Sequence, residues 1–522
     1  MPNPSVITIT DLGFAYPGSP STIFEHLSAT LERGWTAMLG DNGCGKTTLA
    51  RLLCGRLSPT RGRISPKPGS LVCEYCPQSI AEQPPNLEDF ANDWSQRAVA
   101  IRRTLGIADD WTYRYPTLSG GEAKRLQVAC SLSREPDLLV LDEPTNHVDA
   151  VTRTRIGQAM DRFAGIGLLI SHDRALIDAS CPKSLVFRTR HTPTGNVLTL
   201  TLFKGTLAQI EEQERAEDRR AQEELDGNRR ELDRLNRFKA ARFQKLQHLD
   251  ALRRQGGRID PHDHDARNTH KLAKPGTSGT AAARSYHQAD ARIAATSRRT
   301  ANLQTAAKRY DGSISLQVKA GHKRELVRVD ARDLGDWMEG HGVKDFRLHL
   351  AADSQAENRY EPTIETISIG PKDHIGISGP NGRGKSTLLE LLIAGLPPDL
   401  PCLILPQIID PALMQKAMED AAALPETKRK NLMTAYTQLN ADPEDLLAGH
   451  ELSAGEGRKL LLCLGFLKHP QLLILDEPTN HLDLRSQAAL TKMLAPYQGA
   501  LVVVSHDESL LDNVSSIRWA VD

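Results

Sequence analysis

Two glycine-rich stretches of the chain have the composition and spacing of loops that bind phosphate groups. The first consists of Gly40, Asp41, Asn42, Gly43, Cys44, Gly45, Lys46, Thr47 and Thr48, and the second of Gly379, Pro380, Asn381, Gly382, Arg383, Gly384, Lys385, Ser386 and Thr387. Glycines let backbone N–H groups turn toward phosphate oxygens, and the helix predicted after each loop adds the positive end of its dipole. Lys46 and Lys385 supply a positive charge for the β- and γ-phosphates, while Thr47 and Ser386 offer a hydroxyl to Mg²⁺. Each stretch therefore predicts a binding site for ATP and Mg²⁺.

Two pairs of acidic residues, Asp142-Glu143 and Asp476-Glu477, end apolar runs that are typical of buried strands. Ligands of parallel α/β sheets bind at the carboxyl ends of the strands, so we expect these acids beside the nucleotide. The aspartate can hold Mg²⁺ through water, and the next carboxylate points to the other face of the strand, where it can address the attacking water. Phosphoryl transfer mainly requires positioning and charge stabilisation. We therefore predict that Glu143 and Glu477 are catalytic.

These motifs occur twice, in the same order, together with two further motifs. Leu118-Ser119-Gly120-Gly121-Glu122 recurs as Leu452-Ser453-Ala454-Gly455-Glu456, and Ser171-His172-Asp173 recurs as Ser505-His506-Asp507. The acidic strands, the pentapeptides and the Ser-His-Asp motifs share an offset of 334 residues, whereas the glycine loops are offset by 339. Such a repeat predicts a duplicated α/β domain, with copies at 1–205 and 325–522. His172 and His506 are predicted to lie near the reacting phosphate.

The segment between the copies, 206–324, has a different composition. From Ala208 to about Arg254 it lacks proline and consists mainly of strong helix formers, with apolar residues at three- and four-residue steps. A second helical stretch is predicted from about Thr280 to Lys308, and the glycines, proline and histidines of Gly256–Lys274 would form the tip between them. The simplest arrangement is an antiparallel helical hairpin.

The linker is also strongly basic, although the whole chain has no net charge. Between Arg229 and Arg309 nineteen Lys and Arg residues face seven Asp and Glu residues, a net charge of about +12. An excess of one sign points to a polyanionic partner such as RNA, although charged helices are also often simply solvated. The candidate RNA contacts are Arg237, Lys239, Arg242, Lys245, Arg253, Arg254, Arg258 and Arg267.

Other features of the sequence exclude several classes of protein. No run of about 18 apolar residues is present, so no membrane-spanning helix is expected, and the N-terminus does not resemble a secretory signal. The expected compartment is the cytoplasm. Cys73 and Cys76 form the one C-x-x-C pair, and without a second pair at matching spacing we interpret them as ordinary reduced thiols.

Taken together, the motifs resemble those of ATP-binding-cassette proteins. Leu118-Ser119-Gly120-Gly121-Glu122 is similar to the cassette signature, which distinguishes this family from other P-loop NTPases. Glu-Pro-Thr-Asn-His after each acidic strand, glutamate at the end of each signature and a charged helical linker resemble the F class. That class acts on ribosomes rather than on membranes. The resemblance covers both cassettes, and over the linker it rests on composition and helicity.

This resemblance implies that the cassettes of one monomeric chain close head to tail around two ATP molecules. Site one would consist of Lys46, Gln78, Asp142, Glu143 and His172 with Ser453, Ala454 and Gly455 of the other cassette. Site two would consist of Lys385, Gln407, Asp476, Glu477 and His506 with Ser119, Gly120 and Gly121. The Mg²⁺ ligands would be Thr47, Gln78 and Asp142 in site one and Ser386, Gln407 and Asp476 in site two. Tyr16 fits the aromatic residue that stacks on adenine.

Two departures from the family pattern suggest that the sites are not equivalent. Ala454 replaces the first glycine of the signature, and its methyl group is expected to crowd the approach of the backbone to the γ-phosphate in site one. No clear counterpart of Tyr16 precedes the second glycine loop, where Tyr360 and Trp337 are the candidates. The adenine of site two would then be held more loosely.

The sequence therefore favours a ribosome-associated ATPase, in which ATP closes the cassettes and the basic hairpin reaches along tRNA or ribosomal RNA. Two roles remain open within this interpretation, a general translation factor and an antibiotic-resistance factor that protects the ribosome. A second class is the ATPase subunit of a membrane transporter, against which the Asn-His pair and the basic hairpin argue. A third is a DNA-repair ATPase, for which zinc modules or very long coiled coils would be expected.

Overall fold

The structure is a computed structural model, and its residues fall into two compact units. It describes residues 5–18, 22–146, 148–192, 195–255, 264–265, 278–302, 305–306, 324–343, 346–350, 366–447 and 452–522. The first unit comprises Met1–Arg188, Leu200–Leu207 and Arg309–Asp522, and the second comprises Thr189–Thr199 and Ala208–Lys308. Both cassettes therefore belong to the first unit.

The first cassette has a parallel sheet and a smaller antiparallel sheet. Its strands are β1 (Val6–Phe14), β2 (Phe24–Glu32), β3 (Gly34–Leu39), β4 (Arg61–Ser65), β5 (Cys73–Cys76), β6 (Leu138–Asp142), β7 (Ile166–Ile170), β8 (Lys183–Thr192) and β9 (Gly195–Lys204). Strands β8, β3, β7, β6 and β5 lie in this order and are parallel, while β2, β1 and β4 form the antiparallel sheet. The α-helices are Lys46–Leu53, Leu87–Asn92, Gln96–Leu105, Gly120–Ser133, Ala150–Asp161 and Arg174–Ser180.

The second cassette repeats the parallel sheet. Its strands are β11 (Val327–Val329), β12 (Leu348–Leu350), β13 (Ile367–Ile369), β14 (His374–Ser378), β15 (Cys402–Leu405), β16 (Leu472–Asp476), β17 (Ala500–Val504) and β18 (Ile517–Val521). The sheet order is β12, β18, β14, β17, β16 and β15, with β12 antiparallel to its neighbour. The helices are Ala331–Gly340, Lys385–Ala394, Pro411–Ala422, Glu426–Gln438, Pro443–Leu447, Ala454–Phe466, Leu484–Leu494 and Glu508–Val514. The two parallel sheets confirm the predicted fold class.

The sheet order explains how residues distant in sequence meet. All five residues of β6 and all five of β16 are buried, as expected for strands covered by helices on both faces. In the first cassette β7 lies between β3 and β6, and β17 lies between β14 and β16 in the second. Because these strands are parallel, the glycine loop after one and the acidic pair after the other share one edge of the sheet.

The last glycine of each loop is required by the turn from strand to helix. Gly45 and Gly384 precede their helices with φ values of 97° and 92°, in the left-handed region that glycine occupies without strain. A Cβ atom at Gly45 would lie 2.8 Å from Ile23, and one at Gly384 would lie 3.0 Å from Val343. Both the conformation and the close contact therefore favour glycine.

The second unit contains two long helices that pack antiparallel. Helix Leu207–Gln255 matches the helix predicted from Ala208 to about Arg254, and helix Ser278–Asn302 is its partner. Glu231 of the first helix pairs with Arg292 of the second at 3.1 Å. Phe243 lies later in the first helix, and its ring is 6.3 Å from that of Tyr286, which lies earlier in the second. This crossing of the contacts confirms the helical hairpin. The predicted tip, apart from residues 264–265, lies outside the described residues.

The predicted end of the second hairpin helix is wrong. The helix ends at Asn302 rather than at Lys308, and Thr305–Ala306 forms a short strand, β10. Thr305 and Ala306 pair antiparallel with residues of β8. Alanine and lysine there favour a helix locally, but pairing with an available strand edge overrides that propensity.

Candidate functional site

Each glycine loop wraps around its lysine in the same way. The Lys46 Nζ donates to the backbone carbonyls of Gly40 and Asp41 at 2.7 and 2.9 Å. The Lys385 Nζ makes the equivalent bonds in the second loop at 2.7 and 2.8 Å. Both ammonium groups are thereby held at the mouth of the loop, where an incoming anion would be attracted.

The hydroxyl of the residue after each lysine meets the aspartate of the acidic pair. Thr47 Oγ1 donates to Asp142 Oδ2 at 3.1 Å, and Ser386 Oγ donates to Asp476 Oδ2 at 3.1 Å. Hydroxyl and carboxylate oxygens are suitable ligands for a Mg²⁺ ion that also binds the phosphates of a nucleotide. In the first cassette the Tyr75 hydroxyl also donates to Asp142 Oδ2, at 2.6 Å, a contact that the sequence did not predict.

The glutamates of the acidic pairs adopt the same unusual backbone conformation. Glu143 and Glu477 both have a φ of 47°, which costs a non-glycine residue of the order of 1–3 kcal/mol. The backbone N–H of Glu143 donates to Ile170 at 2.7 Å, and that of Glu477 donates to Val504 at 2.8 Å. These bonds to the neighbouring strand hold the strained turn, so both glutamates are positioned rigidly.

Each glutamate faces the histidine of its Ser-His-Asp motif in a buried environment. Nε2 lies 3.5 Å from the glutamate Oε1 in both the His172–Glu143 and the His506–Glu477 pair. Burial raises the pKa of Glu143 to about 8 and that of Glu477 to about 7, with the adjacent aspartates adding to both shifts. Burial likewise lowers the pKa of His172 to about 3 and that of His506 to about 4. A carboxyl group with a pKa near neutrality can exchange a proton with water.

The two signature pentapeptides begin helices Gly120–Ser133 and Ala454–Phe466 through the same capping arrangement. Ser119 accepts a hydrogen bond from the Glu122 backbone, and the Glu122 side chain accepts one from the Ser119 backbone at 2.8 Å. Ser453 repeats this arrangement in the second cassette. The final glutamate of each pentapeptide thus stabilises the start of the helix that presents the serine and glycines.

A cavity of about 900 Å³ lies between the cassettes and brings residues of both predicted sites together. The predicted residues that line it from the first cassette are Asn42, Gly43, Gly45, Lys46, Thr47, Thr48, Gln78, Asp142, Glu143 and His172. Those from the second cassette are Asn381, Gln407, Ser453, Ala454, Gly455, Glu477 and His506. The first glycine loop and the opposite signature therefore face the same space. The described residues that were predicted to bind ATP but do not line this cavity are Tyr16, Gly40, Asp41, Cys44, 119–121, Gly379, Pro380, 382–387 and Asp476.

The second cassette contacts the first through Asn381 of its glycine loop and through His506. The backbone N–H of Asn381 donates to the Asp149 carboxylate, and this contact helps to lower the pKa of that group. Arg153 donates to the backbone carbonyl of His506 at 3.1 Å. In the first signature, a Cβ atom at Gly120 or Gly121 would lie 3.6 Å from a side chain of the same cassette, which is an ordinary van der Waals distance.

The alanine of the second signature lines the cavity next to a glycine that is closely packed. Ala454 lines the cavity, whereas a Cβ atom at Gly455 would lie 2.5 Å from the His481 carbonyl oxygen and 3.1 Å from Asn42. The Asn42 side chain donates to that carbonyl at 2.9 Å. Asn42 of the first loop therefore lies close to Gly455 of the second signature, where a side chain would not fit without a shift.

The candidate adenine-binding aromatic residues differ between the cassettes. The Tyr16 hydroxyl lies 3.1 Å from Thr48 Oγ1, and 37% of the residue is exposed, so its ring can take a planar ligand beside the glycine loop. Trp337 stacks on His341 with ring centroids 4.6 Å apart. Tyr360 lies outside the described residues.

Two buried basic residues, Arg458 and Lys124, were not predicted from the sequence. Arg458 is 1% exposed and donates to the carbonyl oxygens of Glu477 at 2.8 Å and Gln407 at 2.6 Å. Lys124 donates to the Gln78 carbonyl at 3.0 Å. Each lies two residues after the glutamate of a signature, and a cation at this same position of both copies was the signal that could have identified it.

The structure describes three of the eight candidate RNA contacts. Arg237 is exposed, and Arg242 lies 5.0 Å above the Phe238 ring. Lys239 pairs with Asp290, which raises the lysine pKa. The side chains of Lys245, Arg253 and Arg254, and all of Arg258 and Arg267, lie outside the described residues.

Comparisons with known proteins agree with this geometry. Residues 24–146 match the family model described as ABC transporter. The chain is 25% identical to the ribosome protection protein VmlR of Bacillus subtilis, over 99% of this chain and 86% of that protein. It is 26% identical to the tylosin resistance ATP-binding protein TlrC of Streptomyces fradiae, over 94% and 92% respectively. Its first cassette thus carries an ABC transporter domain, and over most of its length the chain is similar to ABC-F proteins. It is therefore an ATPase.

The fold of the chain also resembles that of a solved structure. An archaeal ribosome recycling factor, aABCE1, solved with the stalk protein aP1, superposes with a TM-score of 0.55 at 17% identity, over 98% of this chain and 89% of that one. At this identity the similarity concerns the fold alone. Within the described part of the chain, every helix is too short or too polar to span a membrane.

Proposed function

We propose that this protein hydrolyses ATP at two sites between its cassettes and uses the resulting closure and opening to bind and leave the ribosome. The observation that carries the proposal is the cavity lined by the first glycine loop, the acidic pair and the opposite signature. Nucleotide bound there contacts both cassettes at once, so it stabilises the closed arrangement.

The proposed chemistry assigns separate tasks to the residues of each site. Lys46 and Lys385 attract the β- and γ-phosphates, and the two glutamates, Glu143 and Glu477, orient the attacking water and accept its proton. The hydroxyl–carboxylate pairs fit Mg²⁺, which, when bound, would neutralise charge on the phosphates. The buried histidines, held neutral at physiological pH by their lowered pKa, act as hydrogen-bonding groups rather than as cations.

The proposed partner is the ribosome, and the basic hairpin is the proposed RNA-binding element. Two observations support this step. VmlR and TlrC, whose names refer to ribosome protection and tylosin resistance, align with most of this chain. The segment between Arg229 and Arg309 has a net charge of about +12. Phosphate neutralisation would dominate such binding, so its affinity should fall steeply with salt. The exposed Arg237 and the ring-stacked Arg242 are the described residues best placed to contribute.

The test is ribosome pelleting with the full chain carrying Glu143→Gln and Glu477→Gln. This variant should bind ATP without hydrolysing it and should pellet with ribosomes only when ATP is present. Raising the salt from about 50 to about 200 mM should weaken the association by at least about tenfold. Equal recovery with and without ATP would contradict the coupling of closure to docking.

A matched pair of charge reversals tests the hairpin itself. Arg237→Glu with Arg242→Glu should abolish most ATP-dependent pelleting. Arg162→Glu with Lys468→Glu changes the same number of charges on exposed positions of the two cassettes and should have little effect. Comparable losses in both pairs would show that overall charge, not the hairpin, governs binding.

A role in antibiotic resistance is the more specific candidate within this proposal, because VmlR and TlrC are named for ribosome protection and tylosin resistance. Expression of the wild-type chain in a tylosin-sensitive host should raise the minimal inhibitory concentration, whereas the Glu143→Gln/Glu477→Gln variant should not. Unchanged sensitivity to tylosin and other ribosome-binding drugs would favour a general translation factor.

A further inference from the structure

The two cassettes differ at three aligned positions. The residues at these positions that lie beside the first glycine loop contact one another across the interface. The offsets of 339 and 334 residues align Asp41 with Pro380, Asn440 with Gly106, and Arg485 with Val151. Asp41 belongs to the first glycine loop, and the other two residues belong to the second cassette. We call Asp41, Asn440 and Arg485 the cross-cassette triad.

The contacts of the triad connect the first glycine loop to the second cassette. The Asn440 side-chain amide donates to Asp41 Oδ1 at 3.2 Å and also approaches the Asp483 carboxylate at 3.4 Å. Arg485 Nη1 lies 3.7 Å from the same Asp41 oxygen. An amide nitrogen has two hydrogens, so Asn440 can bridge the two carboxylates that it contacts.

Equivalent structural positions support the alignment of Asn440 with Gly106. Both residues follow a helix and have left-handed backbones, with φ values of 59° and 60°. Their carbonyl oxygens accept bonds from aligned basic residues, Lys459 at 3.0 Å and Arg125 at 3.2 Å. A Cβ atom at Gly106 would lie 1.9 Å from an Arg155 nitrogen, so an asparagine there would require the Arg155 side chain to move.

The charge of Asp41 gives the triad a consequence for nucleotide binding. A carboxylate within a phosphate-binding loop repels the triphosphate that the loop is built to hold. Burial raises the pKa of Asp41, and Arg485 opposes that shift, so the arginine of the other cassette favours the charged form. The second loop carries Pro380 at this position, so it has no carboxylate there that needs a cationic partner.

We propose that the cross-cassette triad positions the first glycine loop and neutralises its carboxylate only while the cassettes are closed, so that ATP affinity at site one depends on closure more strongly than at site two. The inference rests on the proposed placement of ATP at the two glycine loops. It makes Asp41, Asn440 and Arg485 positioning residues, since they act through the loop and not on the reacting phosphate.

The test measures ATP affinity at each cassette separately in the full chain. Photolabelling with 8-azido-ATP in the Glu143→Gln/Glu477→Gln background, followed by peptide mapping, gives a half-saturating concentration for each cassette. Arg485→Val installs the residue of the other repeat and should raise that concentration about tenfold in the first cassette, within the usual range of coupling between sites. Labelling of the second cassette in the same sample should change less than about twofold and reports that the protein is folded.

Removing the carboxylate should rescue the arginine variant. Asp41→Pro combined with Arg485→Val should restore first-site labelling to within about threefold of the parent, because no buried anion then lacks its partner. Asn440→Gly, which keeps the left-handed backbone free of strain, should weaken first-site labelling by about threefold. If Arg485 had only a structural role, a change at Asp41 would not restore first-site labelling.

A cation on the same helix provides the matched control. Lys492→Val removes one positive charge from an exposed position of helix Leu484–Leu494 and should leave both affinities unchanged. Equal losses at both cassettes in Arg485→Val, a loss of similar size in Lys492→Val, or no rescue by Asp41→Pro would overturn the triad. If the parent protein were labelled at neither cassette, the proposed ATP sites themselves would be contradicted, and the role of the triad with them.

Discussion

The two glycine loops carry the same chemistry, but the side chains of their equivalent asparagines make different contacts, one across the interface and one within its own cassette. The first loop reaches across the interface, where Asn42 donates to the His481 carbonyl at 2.9 Å. The second loop uses the equivalent Asn381 to contact His506 of its own cassette, also at 2.9 Å. Duplicated domains can thus keep the groups that contact a ligand while diverging in the contacts that position those groups.

The acidic strands differ in a similar way. Asp142 accepts hydrogen bonds from Thr47 and from the Tyr75 hydroxyl, whereas Asp476 accepts one from Ser386. The position in β15 that corresponds to Tyr75 is Ile404, which has no hydroxyl to donate. Differences between the sites therefore extend from the interface to the proposed Mg²⁺ ligands.

Removing the catalytic carboxylates should have the largest effect. The Glu143→Gln/Glu477→Gln protein should hydrolyse ATP at least about 100-fold more slowly than the parent, since a positioned acid–base group contributes that much or more. The single variants should retain unequal steady-state rates, measured by phosphate release. Glu135→Gln, at an exposed position, serves as the control. Identical residual rates in the single variants would break the comparison between the sites.

The pH dependence should sharpen the same comparison. The raised pKa values, about 8 for Glu143 and about 7 for Glu477, mean that the carboxylate fraction of each grows as pH rises through these values. Turnover should increase by up to about tenfold per pH unit below the relevant pKa. With Lys46→Ala, which leaves site two, half-maximal turnover should occur at a lower pH than with Lys385→Ala. A rate that falls between pH 6 and 8 would contradict glutamate as the base.

Much of this organisation could be predicted from the sequence, because local patterns determine it. The glycine loops, the buried strands ending in Asp142 and Asp476, and helix Leu207–Gln255 all follow from spacing, apolar runs and helix propensity. The capping boxes that begin with Ser119 and Ser453 likewise depend on neighbours three residues apart.

Contacts between distant residues were beyond such patterns. Asp41 and Asn440 are separated by 399 residues, and nothing in either sequence window indicates that they meet. Strand β10 depends on β8, so composition alone predicted a continuing helix at Thr305. Comparison of the repeats could have shown where the copies differ, but only the fold shows that the three divergent positions lie together.

Tyr16→Ala tests whether adenine is held differently in the two cassettes. Loss of a stacking ring should weaken ATP binding at the first cassette by about tenfold, the effect expected for one base on one aromatic side chain. Tyr16→Phe keeps the ring, loses the hydroxyl contact with Thr48 and should bind nearly as well as the parent. Site-resolved labelling with 8-azido-ATP measures both variants. A larger loss in Tyr16→Phe than in Tyr16→Ala would exclude stacking as the role of this residue.

The smallest expected effect concerns the extra hydroxyl in site one. Tyr75→Phe removes the bond to Asp142 and frees that carboxylate oxygen, so half-maximal turnover in the Lys385→Ala background should require about threefold less Mg²⁺. Tyr115→Phe is the control, because its hydroxyl donates to backbone carbonyls of Ile80 and Glu82 instead of an acid. In the Lys46→Ala background, where the remaining site has Ile404 at this position, Tyr75→Phe should not change the Mg²⁺ requirement. An equal shift in both backgrounds would mean that the tyrosine acts on the fold of the cassettes and not on the carboxylate that it contacts.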